Sequence, residues 1–308
     1  MSLEQKDYGA NMTFKNADSL TLGIVVRAND PKAHKTAADF IETCTDAGFK
    51  AIVSSDSLKD LPADKNVCHH AKDTEHDDLA NIAKTARAVI VLGGDGTFLN
   101  AATRLYGLEC PIMGINLGHL GFLTTGSLKT LVKKLQDDDY KVNERAYYQA
   151  KLLRDGKEVW QGPFLNDTVI QRNADEKMLN LAVDHSTWRV LEMRADGLIV
   201  STPTGSTAYN LSAGGPVMHP QIDALVISPI CPHNMSFRPV VVPPSEIRIT
   251  NESPIAHLSV DGRRTIPMDV NDVVLIEKTD HKLHMLVAED YNFFDVLREK
   301  FGWDSLRN

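Results

Sequence analysis

The sequence predicts an N-terminal α/β domain with a doubly wound parallel sheet, followed by a mainly β domain. Two features carry the first half. Short apolar runs alternate with helical patterns over the first 125 residues, which is the rhythm of βα units. Those runs are continuous rather than alternating, as strands buried on both faces should be. The second half rests on a change of character: after about residue 125, short segments rich in Val, Ile, Leu and Thr follow one another between Pro, Gly and polar turns. A chain of 308 residues is long enough for two domains of roughly 100–200 residues each.

Leu20–Val26 reads as the first buried strand. Pro31–Gly48 follows as a helix, with Pro suited to its start and Gly to its end. Ala51–Ser54 is a short strand, Asp77–Ala86 a helix, and Ala88–Leu92 a clear buried strand. Thr97–Tyr106 then reads as a helix leading into the strand Ile112–Ile115, and Leu128–Asp137 as a polar helix. In the second half, Asp155-Gly156 lies between Ala150–Leu153 and Glu158–Trp160, a strong hairpin signal. Val240–Val242, Glu246–Thr250, Ala256–Val260 and Val273–Lys278 read as strands, with Asp261-Gly262 turning another hairpin. Helical spacing returns over Asn292–Phe301, as a helix docking back on the first domain. The expected division is 1–125, joined by 290–308, and 126–289.

Composition narrows the function classes. A net charge of −8 argues against a broad nucleic-acid surface, which would be basic. No apolar run reaches the ~20 residues of a membrane helix. Residues Met1–Leu20 are mostly polar, lack a signal-peptide core, and read as a loosely ordered tail. Cys44, Cys68, Cys110 and Cys231 show no paired spacing, and Cys68-His69-His70 lacks the second half of a zinc ligand set. A reducing, cytoplasmic setting is expected.

The chemistry centres on Gly93-Gly94-Asp95-Gly96-Thr97, which joins the strand Ala88–Leu92 to a helix. Glycines let a backbone approach an anion, and the N–H groups at a helix start point at it. A pure phosphate cradle gains nothing from a carboxylate. A kinase gains a group that takes the proton of the attacking hydroxyl. Asp also supports turns, so the loop alone leaves both roles to Asp95. The spacing is neither Gly-x-Gly-x-x-Gly nor Walker A, which disfavours a nicotinamide dehydrogenase or a P-loop NTPase. A second glycine stretch, Asn116–Phe122, places His119 either against phosphate or in solvent at a domain-crossing turn. Downstream, Asp196–Pro216 packs hydroxyls, small residues and one aromatic ring into a single run, which suits a ribose, a base and a pyrophosphate together. Asn166-Asp167 can donate to and accept from a ribose diol. A kinase acting on a hydroxyl of a small nucleotide is the expected function.

The loop at Gly93–Thr97, Asn166-Asp167, the Asp196–Pro216 run and Ser228–Pro239 occur in the order of the NAD kinases, and most of the chain resembles that family. The resemblance implies ATP-dependent phosphorylation of the 2′-hydroxyl of the adenosine ribose of NAD, with a divalent cation, magnesium, on the ATP phosphates. It assigns the proton acceptor to Asp95 and places Gly96 beside the ribose, with Gly93, Gly94 and Thr97 completing the phosphate loop. NAD contacts fall to Asn166, Asp167, Thr207, Ala208, Tyr209, Asn210, Leu211 and Ser212. Lys177, Arg194 and Arg263 follow as polar contacts, and Asp196 as a residue reaching the nicotinamide end in a neighbouring subunit of a homodimer or homotetramer. Two positions depart from the family pattern: Asp167 stands where Glu is frequent, and Arg263 where an amide is expected. A lipid or diacylglycerol-type kinase shares the glycine loop, and a non-catalytic NAD sensor would share the dinucleotide run.

Overall fold

The computed structural model describes residues 21–58, 78–118, 120–126, 128–137 and 140–303. The N-terminal tail, Cys68-His69-His70 and His119 lie outside the described residues. The chain divides into two compact units: one runs to Glu144 and resumes at Leu283, and the other is Arg145–Lys282.

In the first unit, β1 (Thr21–Val26), α1 (Pro31–Asp46), β2 (Lys50–Val53), α2 (Ser55–Leu58), α3 (Asp78–Thr85), β3 (Ala88–Leu92), α4 (Asp95–Arg104), β4 (Ile112–Ile115) and α5 (Leu128–Asp137) follow in order. The strands pair in parallel in the order β2-β1-β3-β4. β1 and β3 are buried along their whole length, as their unbroken apolar runs require. Asp30 starts α1 by accepting from the N–H groups of Lys32 and Ala33, with Pro31 in the first turn. Leu131 and Leu135 of α5 are buried in the same core as Leu22, Ile90 and Ile115. That packing moves the division of the chain from the expected position near residue 125 to Glu144.

The second unit is mostly antiparallel strand. β5 (Lys141–Arg154) enters it and pairs with β6 (Lys157–Phe164) through Asp155-Gly156, whose φ values of +50° and +75° are those of a tight two-residue turn. Next come β7 (Asp167–Gln171), β8 (Leu179–His185), β9 (Trp188–Ala195), β10 (Gly197–Ser201), the short α6 (Tyr209–Ser212), β11 (Leu225–Ile230), β12 (Val240–Val242), β13 (Ile247–Asn251), β14 (Ile255–Val260) and β15 (Arg264–Asp269). β16 (Val273–Val287) then runs back to the first unit, where Met285 pairs in parallel with Ile112 of β4. One sheet has the order β12-β11-β10-β7-β14-β15, and β16-β13-β8-β9 forms another run. Val183, Ile247 and Ile276 from one side share a single core with Ile170, Leu198, Ile227 and Leu258 from the other. The last described helix is α7 (Phe293–Phe301), capped by the Asn292 side chain and by Gly302 at φ +64°. Its residues belong to the first unit, as expected of the terminal helix.

Candidate active site

The strand order of the first unit decides where a ligand can sit. From β1 the chain moves to β2 on one side, and through β3 to β4 on the other. The connections leaving β1 and β3 therefore diverge and open a crevice at their carboxyl ends, the switch point of an open α/β sheet. Gly93–Thr97 is the connection leaving β3 there. It is held down on both sides: Arg27 N–H donates to the Leu92 carbonyl at 3.0 Å, and Gly93 N–H to the Ile115 carbonyl at 3.0 Å.

α4 begins at Asp95, two residues earlier than the sequence predicted, with Gly94 as a cap that has no side chain to satisfy the first N–H groups. A Cβ at Gly93 would lie 2.7 Å from Thr97 Oγ1, whereas one at Gly94 or Gly96 would meet no atom within 4 Å. The first glycine is thus required by packing, and the other two leave open space over a helix start, where an anion is favoured.

Asp95 is anchored rather than free. Its Oδ1 accepts from Leu123 N–H at 3.0 Å, Thr124 N–H at 3.1 Å and Thr124 Oγ1 at 3.0 Å, and its Oδ2 accepts from Phe122 N–H at 2.8 Å. Each carboxylate oxygen has two lone pairs. Oδ2, with one of these donors, is therefore the atom with acceptor capacity for a further hydroxyl. Gly121 of the second glycine stretch lies against this group: a Cβ there would stand 2.0 Å from Asp95 Oδ1.

The second unit gathers another set around the start of β7. Asp167 is buried and opposite Ser201 in the register with β10. Burial, the nearby Asp261 carboxylate and an opposing backbone bond from Tyr209 leave its carboxyl pushed up from 3.8 to about 7. Asn166 Oδ1 is buried without a hydrogen-bond partner, a cost that a bound donor would relieve. Thr202 N–H donates to the Asn166 carbonyl at 2.9 Å, and the Thr202 hydroxyl donates to the Leu165 carbonyl. Gly205 packs so closely on Asn166 that a Cβ would lie 2.1 Å from its carbonyl oxygen. Tyr209, 43% exposed, opens α6 beside this cluster, with its backbone N–H donating to the Asp167 carboxylate.

The chain matches the family model for the ATP-NAD kinase N-terminal domain over residues 22–137 and that for the ATP-NAD kinase C-terminal domain over residues 165–288. An NAD kinase of Neisseria gonorrhoeae is 36% identical over 296 residues, covering 94% of this chain and 98% of that protein. An NAD kinase of Magnetococcus marinus is 35% identical over 289 residues, covering 92% and 93%. The chain belongs to the ATP-NAD kinase family. Its fold is also similar to that of yeast NADH kinase complexed with NADH, with a TM-score of 0.80 at 24% identity, covering 92% of this chain and 88% of that one. The NAD kinase of Archaeoglobus fulgidus in complex with ATP gives 0.66 at 23% identity, covering 91% and 99%.

Within this ATP-NAD kinase chain, the expected contact residues divide into groups. Thr207, Ala208 and Leu211 are half-buried and Ser212 is exposed on the run beside Asp167. Asn210 is fully buried: its Nδ2 donates to the carbonyls of Ser206 and Pro216, both at 3.1 Å, and Ser228 Oγ donates to its Oδ1 at 2.7 Å. Its amide ties the run to β11 instead of facing outward. Arg263, expected to reach NAD, has its guanidinium 3.0 Å from the buried Asp261 carboxylate. Asp261 in turn accepts from the N–H groups of Leu165, Asn166 and Asp167 at 2.8–3.2 Å.

Asp196 lies elsewhere in the second unit. It pairs with Arg172 at 2.6 Å, next to Gly197, which is opposite Gln171 at the far end of the β7–β10 pair from Asp167. Four residues of strand separate the two ends, roughly 13 Å at ~3.3 Å per residue. Lys177 and Arg194 are exposed. Two residues escaped the sequence reading. Arg27 follows β1 at the switch point with a side chain 61% exposed; its signal was position after the first strand, one loop away from the glycines. Asp261 was read only as half of a turn.

Proposed function

We infer that this chain transfers the γ-phosphoryl group of ATP to the 2′-hydroxyl of the adenosine ribose of NAD, giving NADP and ADP. The anchored carboxylate at the switch point carries this reading: Asp95 is fixed by four donors yet keeps acceptor capacity on Oδ2. In the reaction the ribose oxygen bonds to the γ-phosphorus, and the bridging P–O bond breaks with its electron pair leaving on ADP. The hydroxyl proton goes to Asp95. Phosphoryl transfer depends on positioning and charge neutralisation, and the open glycines Gly94 and Gly96 with the start of α4 supply donors for phosphate oxygens.

The second unit recognises NAD. Asn166 Oδ1 and the Asp167 carboxyl take the adenosine and its hydroxyls, and the Thr207–Ser212 run lies along the dinucleotide with Tyr209 offering its ring. Asn210, Asp261 and Arg263 position these groups from behind. Lys177 and Arg194 supply positive charge for the pyrophosphate. The divalent cation, magnesium, would enter with the ATP phosphates, bridging them with few dedicated protein ligands. Asp196 completes the nicotinamide end for a neighbouring copy, and the active species is a homodimer or homotetramer. The distance of Asp196 from the Asp167 cluster along β7–β10 supports that sharing. No described helix is long and apolar enough to cross a membrane, and the protein acts in the cytoplasm.

The test is NADP formation, coupled to an NADP-specific dehydrogenase, across donors and acceptors. ATP with NAD should turn over; diacylglycerol should not. ATP consumption with diacylglycerol, or NAD binding without turnover, would overturn the reading in favour of a lipid kinase or a sensor. In the same assay Tyr209→Ala should raise KM for NAD more than KM for ATP, whereas equal increases would place the ring outside the NAD site.

A further inference from the structure

The C-terminal helix reaches the phosphate-loop carboxylate through one residue, Phe122. The Phe122 N–H is the donor to Asp95 Oδ2, at 2.8 Å, while Leu123 and Thr124 hold Oδ1. The ring of the same residue lies on α7. Its centroid is 6.0 Å from that of Phe301 with the planes at 51°, and Lys300 Nζ stands 5.7 Å from the ring centre. Phe301 is backed by Trp303 at 5.2 Å. Gly121 allows no slack on the other side, because a Cβ there would meet Asp95 Oδ1 at 2.0 Å. The segment from Gly121 to Thr124 therefore moves only with Asp95, and the Phe122 ring moves only by leaving α7.

α7 is itself well fixed. Phe293, Val296 and Leu297 are buried, Asn292 caps its start, and Trp303 N–H closes its end on the Arg298 carbonyl at 3.0 Å. Aromatic pairs and a cation over a ring are modest contacts in stability. In catalysis the scale differs, because a misplacement of about 1 Å can lower a rate by ~10²-fold.

We propose that α7 is a positioning element for phosphoryl transfer, in which Phe301 and Lys300 clamp the Phe122 ring and so set where Asp95 Oδ2 points. This rests on the reading of Asp95 as the proton acceptor. Phe301 and Phe122 are positioning residues; neither touches the reacting atoms in this scheme.

The experiment uses the full chain and measures kcat, KM for NAD and KM for ATP, with folded fraction and Tm from circular dichroism. The variants are Phe301→Leu, Phe122→Leu, their double, Phe301→Tyr and, as a control on the same helix, the exposed Phe294→Ala. Expected is a fall in kcat of about tenfold or more for each Leu variant, with both KM values within about twofold, at unchanged folded fraction. The double variant should lose no more than the single ones, because both break one contact. Phe301→Tyr should recover most of the rate, and Phe294→Ala should match wild type. A Phe301→Leu enzyme with wild-type kcat, beside an inactive Asp95→Asn, would overturn the proposal alone. Losses that multiply in the double would also overturn it. Wild-type turnover by Asp95→Asn would overturn the Asp95 reading and this one with it.

Discussion

At the scale of single residues, the Asp167–Asp261 pair makes a testable statement about pH. Burial and the Asp261 charge raise the Asp167 carboxyl to about 7. An acid whose folded pKa lies above its unfolded value near 3.8 binds more protons in the folded state across that window. Its contribution to stability is therefore fully present below about pH 4 and is lost as pH rises through about 7. Ligand binding should run the other way, since an ionised Asp167 is the better acceptor for ribose hydroxyls. KM for NAD should fall as pH rises through about 7, and Asp167→Asn should flatten that profile; an unchanged pH profile in the variant would remove Asp167 from the contact. Gly121→Ala should lower kcat by about 10²-fold, because its Cβ would displace the Asp95 carboxylate. Asp95 and Asp167 were legible in the sequence because a carboxylate in a glycine loop and a carboxylate beside Asn are chemically conspicuous. Asp261 and the inward turn of Asn210 were not. Asp261 accepts from backbone N–H groups 94–96 residues away in sequence, and Asn210 is held inward in part by the Ser228 side chain, 18 residues on; no local pattern encodes those partners.

At the scale of elements, the buried strands of the first unit and its capped helix α1 follow their residue patterns closely. The β8–β9 hairpin escaped because its turn uses Ser186 at φ +54°, where a Gly or Asn would have announced it. β16 runs on to Val287, past the expected end at Lys278, because charged residues at its centre hide a strand that pairs at both ends. The Asp196-Gly197 pair is not a hairpin turn: Gly197 opens β10, and a Cβ there would meet the Ile170 carbonyl at 2.5 Å. In the dinucleotide run, Asn210 makes three hydrogen bonds: two to the nearby carbonyls of Ser206 and Pro216, and one from Ser228 Oγ that joins α6 to β11. Asn210→Ala should therefore cost about 2–4 kcal/mol of stability, from buried groups left without partners. A denaturant midpoint equal to wild type would contradict that role. At the switch point, Arg27→Ala should raise KM for ATP and leave KM for NAD nearly unchanged, checked by the coupled assay.

At the scale of the whole molecule, the first unit holds a glycine loop with an anchored carboxylate, and the second holds the Thr207–Ser212 run proposed to recognise NAD. The central claim is that Asp95 takes the hydroxyl proton as well as holding the loop. Its four donors complicate the obvious variant, because an amide nitrogen at Asp95 would face N–H groups on one side. A comparison resolves this. Thr124→Val removes one donor from the same carboxylate while leaving the acid in place. The deciding measurement is kcat at saturating ATP and NAD for Asp95→Asn beside Thr124→Val. The expected result is a loss of about 10²–10⁴-fold for Asp95→Asn against a few-fold for Thr124→Val; an Asp95→Asn enzyme within about tenfold of wild type, or two variants of equal loss, would contradict the account.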